Sequence, residues 1–555
     1  MTAESFGLRY SGKADALRRA HSTPDAHLSR DGASSIEFDD ARDVLIEGDN
    51  LDALQLMRPA YAGRVQCIYI DPPYNTGHDF VYRDSFAEGA GDYLRRSGQT
   101  DAGGARLVPN PESHGRFHSR WLAMMEPRLR VAHELLREDG LLFVSIDDHE
   151  VHHLRVLLDE VFGPECFVAQ VVVVGNRGGR DYLRIATTHE YVLCYGRSPD
   201  APVRPLPRVG PDPRHGDERG PFELRELRNR NPRFSPANRP NLFYPIWVDP
   251  STADDDGLCP VSLAEHEGWV PVEPRNRTGA PSVWRWGRPR LHAALVPGDA
   301  GRSEVVARRR RDGVFNVYEK YRAQTTKARS LWDEPAMRSE QGTRTLREHL
   351  GVAAFDHPKP VELVSRCLQL GSDPGGLVLD FFAGSGTTAE AVYRLDQQQD
   401  GAAPRRFVLV QLPVPLPSDA AGRALGAETI SDLTRLRIAA ARTPGRGLRC
   451  FRIDSGAVAG QDHELWPVDP WGPALAAGVP LSASVEVLGP RTWWLRHASR
   501  ELLVCLEPAV ASGVGPGGGL AWDSLPPATT VACRADALDD ELAFNLARRH
   551  ALLLL

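Results

Sequence analysis

Short apolar runs alternate with amphipathic stretches over residues 41–200. The run Val65–Ile70 (VQCIYI) is β-branched and stops at two prolines, which predicts a buried parallel strand that opens into a loop. A helical pattern follows over 118–137, then the strand LLFVSI, then Asp147 and Asp148, placed to cap the next helix. This alternation predicts an α/β sheet with crossover connections.

The same alternation returns near residue 346. It predicts, in order, the helix KPVELVSRCLQL, the strand LVLDFFAG, the helix TTAEAVYRL and the strand RRFVLVQL. The stretch between the two segments is rich in Pro, Gly, Arg and Trp and has poor periodicity. The predicted organisation is an N-terminal extension (1–40), two halves of one α/β domain (41–200 and 346–440), an insert (201–345) and a C-terminal domain (441–555) with a flexible loop at 513–519 and a final helix from Asp539.

The net charge of −7, from 66 Lys and Arg against 73 Asp and Glu, argues against a wholly basic nucleic-acid coat. That average hides an asymmetry, because residues 201–345 carry 25 basic against 19 acidic residues, a local +6, and the rest of the chain carries −13. Only four of the cations are lysines, so an arginine run such as 308–311 is weak evidence of function. A solvated loop is the simpler interpretation of that run.

The eight cysteines are scattered and contain no C-x-x-C pair, so neither a zinc cluster nor a disulfide framework is indicated, and no metal site is predicted. The strongest apolar run, FVAQVVVVG, is far too short to span a bilayer, and the N-terminus lacks an apolar signal segment. We therefore expect a reduced, cytoplasmic protein that does not contact membranes.

The first motif with chemical potential is Asp71-Pro72-Pro73-Tyr74, at the end of the strand VQCIYI. An exocyclic amine on a heteroaromatic ring is a poor nucleophile because its lone pair is conjugated into the ring. A carboxylate and a backbone carbonyl that accept its two N–H groups favour a tetrahedral nitrogen and stabilise the developing positive charge. Proline fixes the direction of that carbonyl, and tyrosine offers a face for stacking a base. For this motif alone, an ordinary turn is an equal alternative.

The second motif, DFFAGSGTT from Asp380, follows a strand and opens a helix. A strand, a glycine turn and a helix let the backbone approach a nucleoside-type cofactor closely, with helix N–H groups facing it. The run also matches G-x-G-x-x-A through Ala389, so a nicotinamide oxidoreductase is an alternative. Such a site normally has an acidic residue at the end of the next strand, and RRFVLVQLPVP ends without one.

In this order, the two motifs resemble the β-class amino-methyltransferases of DNA, and more closely the modification (Mod) subunits of type III restriction-modification systems. The likeness runs through IEGDNLDAL, CIYIDPPYNTG, FVSIDDHEVHHL, HEYVLCYG, RPNLFYPI, FDHPKPVELV, LDFFAGSGTTAEAV and GLRCFRID, and covers most of residues 42–455. It implies a Rossmann-like α/β sheet that uses S-adenosylmethionine, with an inserted target-recognition domain and a small mixed C-terminal domain. It also implies methyl transfer to N6 of adenine in DNA, with N4 of cytosine as the alternative.

The resemblance also assigns roles to individual residues. It assigns the target amine and base to Asp71, Pro72, Pro73 and Tyr74. The residues it assigns to the cofactor are Asp49, His357, Pro358, Lys359, Asp380, Phe382, Ala383, Gly384, Ser385, Gly386 and Thr387. For Asp49 a simple helix-capping role is nearly as well supported. His118, His149, His152 and His153 are interpreted as helix-surface residues rather than catalysts.

One position departs from the family pattern. Family members commonly carry a carboxylate for the cofactor ribose just after Gln-Leu-Pro, where this chain has Val414. Three interpretations therefore stay open: another acid substitutes for this carboxylate, the cofactor binds more weakly, or the chain is an inactive member.

The expected partners are double-stranded DNA, a restriction subunit with helicase and nuclease activities, and a second copy of the chain. The target base would be flipped out of the duplex, and the insert, with its arginines, Trp284 and Trp286, would choose the sequence. The main competing function is a non-catalytic DNA-binding subunit. A broken motif would indicate that alternative, and both motifs are intact.

Overall fold

A computed structural model describes the chain in several segments. They are residues 7–76, 116–178, 185–208, 215–276, 278–322, 325–399, 401–455, 471–476, 478–489, 492–497, 500–505, 529–533 and 551–554. The loop predicted at 513–519 and the helix predicted from Asp539 lie outside these residues. The chain divides into two compact units, one formed by Leu206–Lys327 and the other by Met1–Pro205 with Ala328–Leu555. The first of these, called the insert unit below, falls within the predicted insert.

The larger unit is built on a ten-stranded sheet. Its strands, in chain order, are β1 (Ala26–Arg30), β2 (Asp43–Glu47), β3 (Val65–Ile70), β4 (Leu136–Ile146), β5 (Phe167–Val173), β6 (Glu190–Gly196), β7 (Leu331–Trp332), β8 (Leu377–Asp380), β9 (Arg406–Gln411) and β10 (Leu448–Ser455). Across the sheet their order is β1-β10-β2-β9-β8-β3-β4-β6-β5-β7. From β10 to β4 each strand is parallel to its neighbour, whereas β6 is antiparallel to both β4 and β5. The predicted α/β sheet is confirmed.

Helices accompany this sheet. They are α1 (Lys13–His21), α2 (Asn50–Tyr61), α3 (Arg116–Leu135), α4 (Val151–Phe162), α5 (Ser339–Leu350), α6 (Val361–Gly371), α7 (Thr387–Gln397), α8 (Ile430–Ala441) and α9 (Trp471–Ala476). All six residues of β3 are buried, as its apolar sequence predicts for an inner parallel strand. One hydrophobic core joins the central strands to α2, α3 and α4.

Three local features differ from the sequence predictions. The strand predicted at 141–146 begins earlier, at Leu136, directly after α3. The prediction that Asp147 and Asp148 cap the following helix was wrong, because α4 begins after Glu150, whose side chain makes no capping hydrogen bond. The N-terminal stretch read as an extension contains α1 and β1, and β1 pairs with β10 at the sheet edge while burying Leu28. An edge strand with one buried residue carries too weak a periodic signal to be recognised.

The insert unit contains small antiparallel sheets around its own core, in which Trp284 and Trp286 are buried. Its strands are Leu206–Pro207, His215–Asp217, Gly220–Glu226, Ile246–Val248, Leu258–Cys259, Val261–Ser262, Val270–Val272, Val305–Arg309, Phe315–Tyr321 and Thr325–Thr326, and its helix is Arg288–Ala293. A further sheet near the C-terminus comprises Ser484–Gly489, Thr492–His497, Arg500–Cys505, Thr530–Cys533 and Ala551–Leu554. Among the described residues, no helix combines the length and apolar character that a membrane crossing requires.

Candidate active site

The two motifs meet at one edge of the central sheet. β3 and β8 are neighbouring parallel strands, with Leu379 opposite Ile68. The carboxyl ends of parallel strands lie on the same edge of a sheet, so the loop after β3 and the turn after β8 emerge side by side. The electrostatics agree, because burial raises the pKa of Asp380 to about 7 and the charge of Asp71 adds to that rise.

Lys359 joins the two motifs. Its backbone carbonyl accepts a hydrogen bond from Oγ1 of Thr387 at 3.5 Å. Its ammonium donates to Oε2 of Glu190 at 2.7 Å and to the hydroxyl of Tyr74, and it lies 3.5 Å from Oδ1 of Asp71. It also lies 4.6 Å from the centroid of the Tyr74 ring. Burial opposes the charge of Lys359, but Asp71 and Glu190 outweigh that effect and raise its pKa.

Asp71 has an acceptor that awaits a donor. Its Oδ1 is buried and accepts no hydrogen bond from the described residues. Burial raises the pKa of Asp71 to about 6, Lys359 opposes the rise and Glu190 adds to it. The ammonium of Lys359 lies 3.5 Å from this oxygen, so Oδ1 is paired by charge and keeps its acceptor capacity for a closer donor. An N–H group brought to this edge by a substrate would satisfy it.

The loop that carries Asp71 is fixed on both sides. The indole Nε1 of Trp121, on α3, donates to the carbonyl of Pro73 at 2.7 Å. The hydroxyl of Tyr74 donates to Oε2 of Glu190 at 3.0 Å. Burial raises the pKa of Tyr74 well above its ordinary value, so the hydroxyl stays protonated and remains a donor. The loop therefore has a defined shape without any bound substrate.

The glycine turn between β8 and α7 is shaped by its own hydrogen bonds. Oδ1 of Asp380 accepts from the backbone N–H of Phe382 at 3.0 Å, and Oδ2 accepts from Oγ1 of Thr388 at 2.5 Å. Gly386 has φ of 82°, and a Cβ there would lie 3.2 Å from the backbone oxygen of Thr434. A side chain at Gly386 would therefore be strained in its backbone and crowded. Both oxygens of Asp380 are used inside the turn.

A buried ion pair supports this turn from α8. Arg437 donates to Oγ of Ser385 and to Oγ1 of Thr387, each at 2.7 Å, and to Oε2 of Glu390 at 2.9 Å. The side chains of Arg437 and Glu390 are almost wholly buried. The predicted turn residue Ala383 is also buried, and its N–H donates to the carbonyl of Val410. The turn is thus held by side chains that are distant in sequence.

Asp49 lies at the end of β2 and begins α2. Its Oδ1 accepts from the backbone N–H of Leu51 at 2.7 Å, so Asp49 caps α2, and its Oδ2 also accepts from the buried Arg128 of α3 at 3.2 Å. The next residue, Asn50, is buried and donates to the carbonyl of Phe381 at 2.7 Å. The Asp49 turn is therefore attached to the glycine turn, as a shared cofactor site requires.

The segment before α6 brings the remaining predicted residues to this edge. His357 is exposed and has a left-handed φ of 51°, whereas Pro358 is buried. The carbonyl of Pro358 approaches Gly342 of α5 so closely that a Cβ on that glycine would lie 1.8 Å from it. The position of Lys359 therefore depends on a glycine in a neighbouring helix.

Gly342→Ala is expected to lower the free energy of unfolding by about 1–3 kcal/mol, because the added methyl group overpacks the contact with Pro358. Thermal unfolding measures this loss. Gly216→Ala is the matched control, since a Cβ there has nothing within 4 Å. Equal stability of Gly342→Ala and the control would show that α5 does not fix this segment.

Sequence reasoning missed Glu190, Trp121 and Arg437. Glu190 opens a strand, and Trp121 and Arg437 lie inside helices, where an apolar or charged side chain is ordinary. Their signal is spatial, because each contacts a motif at least 47 residues away in the chain. At Val414, where a ribose carboxylate was expected, the side chain is half-buried and the carbonyl accepts from Ile430.

The insert unit carries its own groove, of about 800 Å³. The polar side chains that line it are Arg228, Arg275, Asn276, Arg309, Arg310 and Asn316, together with Glu226 and Glu273, which pair with Arg228 and Arg275. Arg309 and Arg310 are exposed, although Arg310 also forms an ion pair with Asp312 at 2.7 Å. Guanidinium and amide groups are the side chains that contact phosphates and base edges in nucleic acids.

Comparison with known proteins finds a matching family model and similar sequences. A family model described as DNA methylase matches residues 65–428. The chain is 33% identical over 465 residues to the Mod subunit of the type III restriction-modification enzyme EcoPI of Escherichia phage P1, covering 79% of this chain and 68% of that one. It is 30% identical over 393 residues to the type II methyltransferase M.KpnI of Klebsiella pneumoniae, covering 70% and 85%. It is 29% identical over 486 residues to the Mod subunit of EcoP15I of Escherichia coli, covering 84% and 74%.

Proposed function

The chain belongs to the DNA methylase family, and on this basis we propose that it transfers a methyl group from S-adenosylmethionine to the N6 amine of adenine in DNA. The observation that carries the proposal is the meeting of the Asp71 loop and the glycine turn at adjacent strand ends, with Lys359 between them. A donor cofactor and an acceptor amine need such adjacent sites. The likeness to chains named as Mod subunits of type III restriction-modification enzymes supports a role as the modification part of such a system.

The residues at the glycine turn fit S-adenosylmethionine. Gly386 leaves the backbone bare at the start of α7, and the turn is linked through Asn50 to Asp49. Backbone N–H groups at a helix start favour a polar cofactor that approaches closely. The segment from His357 to Lys359 would hold the methionine end. When bound, the cofactor supplies a methyl group made electrophilic by a positively charged sulfur, so the transfer needs no metal.

Asp71 prepares the amine for attack. Its buried Oδ1 accepts one N–H of the amine, and the carbonyl of Pro72 accepts the other, because Trp121 already occupies the carbonyl of Pro73. These bonds favour a tetrahedral nitrogen and stabilise its growing positive charge. Stacking on Tyr74 holds the base, which is flipped out of the duplex at a cost of a few kcal/mol. Positioning therefore supplies most of the catalysis.

The preference for adenine rests on Asp71 itself and on the type III likeness. A family motif opening with Asp, rather than Ser, favours N6 of adenine over N4 of cytosine. Both amines need the same geometry, so the product must be identified directly. The test is to supply tritiated S-adenosylmethionine and duplex DNA to the purified chain. Label in the DNA supports methyl transfer, and no label under conditions where a control methyltransferase works would contradict it.

The rate of methyl transfer is expected to fall at low pH. Asp71 can stabilise the positive charge that develops on the amine only when it is ionised, and its raised pKa of about 6 means that it is ionised above that pH and protonated below it. kcat/KM should therefore drop about tenfold per pH unit as the pH falls below that value. Initial rates measured across this range, with folding checked by circular dichroism, provide the test. If kcat/KM does not change with pH around the pKa of Asp71, ionisation of Asp71 does not affect the rate-determining step.

The groove of the insert unit is the surface that we assign to DNA recognition. The double variant Arg309→Ala/Arg310→Ala is expected to weaken DNA binding and to lower the salt dependence of log K by about 1–2 units, since each phosphate contact contributes about 0.9. Fluorescence anisotropy at several salt concentrations measures both. Arg302→Ala, an exposed arginine outside the groove, is the control. If the slope of log K against log salt concentration is the same in the double variant as in wild type, DNA does not bind at Arg309 and Arg310.

A restriction subunit and a second copy of the chain complete the proposed assembly, which would act on cytoplasmic DNA. The similar proteins named as Mod subunits support the restriction partner. Analytical ultracentrifugation of the purified chain tests the homodimer.

A further inference from the structure

A wholly buried carboxylate lies behind the catalytic loop. Glu150 precedes α4 and accepts three hydrogen bonds: from Nδ2 of Asn75 at 2.5 Å, from Nδ1 of His118 at 2.6 Å and from Nδ1 of His153 at 2.9 Å. Asn75 is the residue that follows Tyr74. The earlier interpretation of His118 and His153 as helix-surface residues was incomplete, because both rings point a nitrogen at this carboxylate.

The distances within the cluster are those of hydrogen bonds. Two imidazoles and a carboxylate within 4.8 Å of one another are a set that zinc could use. Ligand atoms on one tetrahedral zinc ion, each about 2.1 Å from it, lie about 3.4 Å apart. Here the nitrogens lie 2.6 and 2.9 Å from the carboxylate oxygens, which is the range of charge-assisted hydrogen bonds.

Asn75 connects the cluster to the loop that carries Asp71. This residue is buried and adopts a left-handed φ of 57°, a conformation that asparagine accepts more readily than most side chains, and its amide is held by the carboxylate of Glu150. His118 lies one turn before Trp121 on α3, and Trp121 holds the carbonyl of Pro73. Two neighbouring side chains of α3 therefore hold the loop. Trp121 bonds directly to the carbonyl of Pro73, and His118 bonds to Glu150, which in turn accepts from Asn75.

We propose that Glu150 is a positioning residue, which holds Asn75 and thereby aims Asp71 and Tyr74 at the target base. The inference rests on the proposed methyl transfer. The side chain of Glu150 is wholly buried and both its oxygens are used within the protein, so its removal should lower kcat and leave the cofactor dissociation constant unchanged. A loop displaced by about 1 Å is enough to reduce turnover roughly 100-fold.

Two variants distinguish the effect of Glu150 on the position of the loop from its effect on the stability of the whole fold. Glu150→Gln keeps the shape and removes the charge, and Asn75→Gly keeps the left-handed backbone at no steric cost but removes the contact. Each should lower kcat about tenfold or more, and the double variant should lose no more than the worse single variant, because both break the same link. His149→Ala is the control, since among the described residues this exposed ring bonds only to Asp147 in its own turn.

Hydrogen exchange of the peptide that contains Asp71, Tyr74, Asn75 and Thr76 is the second measurement. Exchange of this peptide should be faster in both single variants, by more than any fall in Tm accounts for, whereas peptides of the central strands should change only as the Tm does. Hydrogen exchange needs no enzymatic activity, so it tests the positioning role even if the wild-type chain methylates no DNA. Absence of methylation by the wild-type chain would contradict the proposed function and not the positioning role. Unchanged exchange, additive losses in the double variant, or turnover within about twofold of wild type would overturn the inference. Loss of wild-type turnover on adding a chelator would also overturn it, in favour of a metal site.

Discussion

Asp71→Ala is expected to lower methyl transfer by about 10²- to 10³-fold, the loss typical when one preorganised group that stabilises developing charge is removed. The reason is the buried Oδ1, which lies at the strand end beside the glycine turn and accepts no hydrogen bond from the described residues. Without this carboxylate, the amine lone pair stays conjugated into the ring. Single-turnover rates with tritiated S-adenosylmethionine measure the loss.

Cofactor affinity should survive the same substitution. The glycine turn is held by Gln411, Arg437 and Asn50, none of which depends on Asp71. Calorimetric titration of Asp71→Ala with the cofactor should therefore match wild type. Asp139→Ala is the control for turnover, because it removes only a surface ion pair with Arg137. Turnover of Asp71→Ala equal to that of the control would exclude Asp71 from the mechanism.

Lys359→Met is expected to reduce both stability and turnover. It removes the cation between Glu190 and Asp71 and leaves two carboxylates facing each other in a largely buried site. Breaking a buried pair by removing one partner costs about 3–5 kcal/mol of unfolding free energy. The pKa of Asp71 should also rise, because the charge of Lys359 is the largest effect that lowers it. Less of Asp71 is then ionised at neutral pH, so turnover falls.

A second substitution separates these two effects. Lys359→Met/Glu190→Gln removes one cation and one anion together, so it should regain much of the lost stability while turnover stays low. Chemical denaturation and single-turnover kinetics measure the two quantities on the same samples. If the double variant regains turnover along with stability, the role of Lys359 is only to balance charge. If Lys359→Met unfolds at the same denaturant concentration as wild type, the ion pairs are not formed in solution.

The sequence predicted those parts of the site whose conformation depends on neighbouring residues in the chain. The strand Val65–Ile70 and its proline stop follow from a β-branched apolar run, and the turn at Gly386 follows from the need for a left-handed residue before a helix. The family pattern also supplied Lys359, though as a cofactor residue. Its ammonium in fact lies against Tyr74 and Glu190, a contact that bridges up to 285 residues of chain.

The supporting contacts could not be predicted, because they form only when distant elements pack. Glu150 was read as part of a helix start, and its three donors come from a loop, from α3 and from α4. Asn50 looks like an ordinary turn residue until β2 and β8 bring it to the carbonyl of Phe381. A single sequence records such side chains without recording their partners.

The most direct test of the account is the identity of the methylated base. The purified chain is incubated with S-adenosylmethionine carrying a tritiated methyl group and with duplex DNA, and the DNA is then digested to nucleosides and separated. We expect the label in N6-methyladenine, and none of it when Asp71→Ala replaces the wild-type chain. Label in N4-methylcytosine, or equal labelling by the Asp71→Ala variant, would contradict the account.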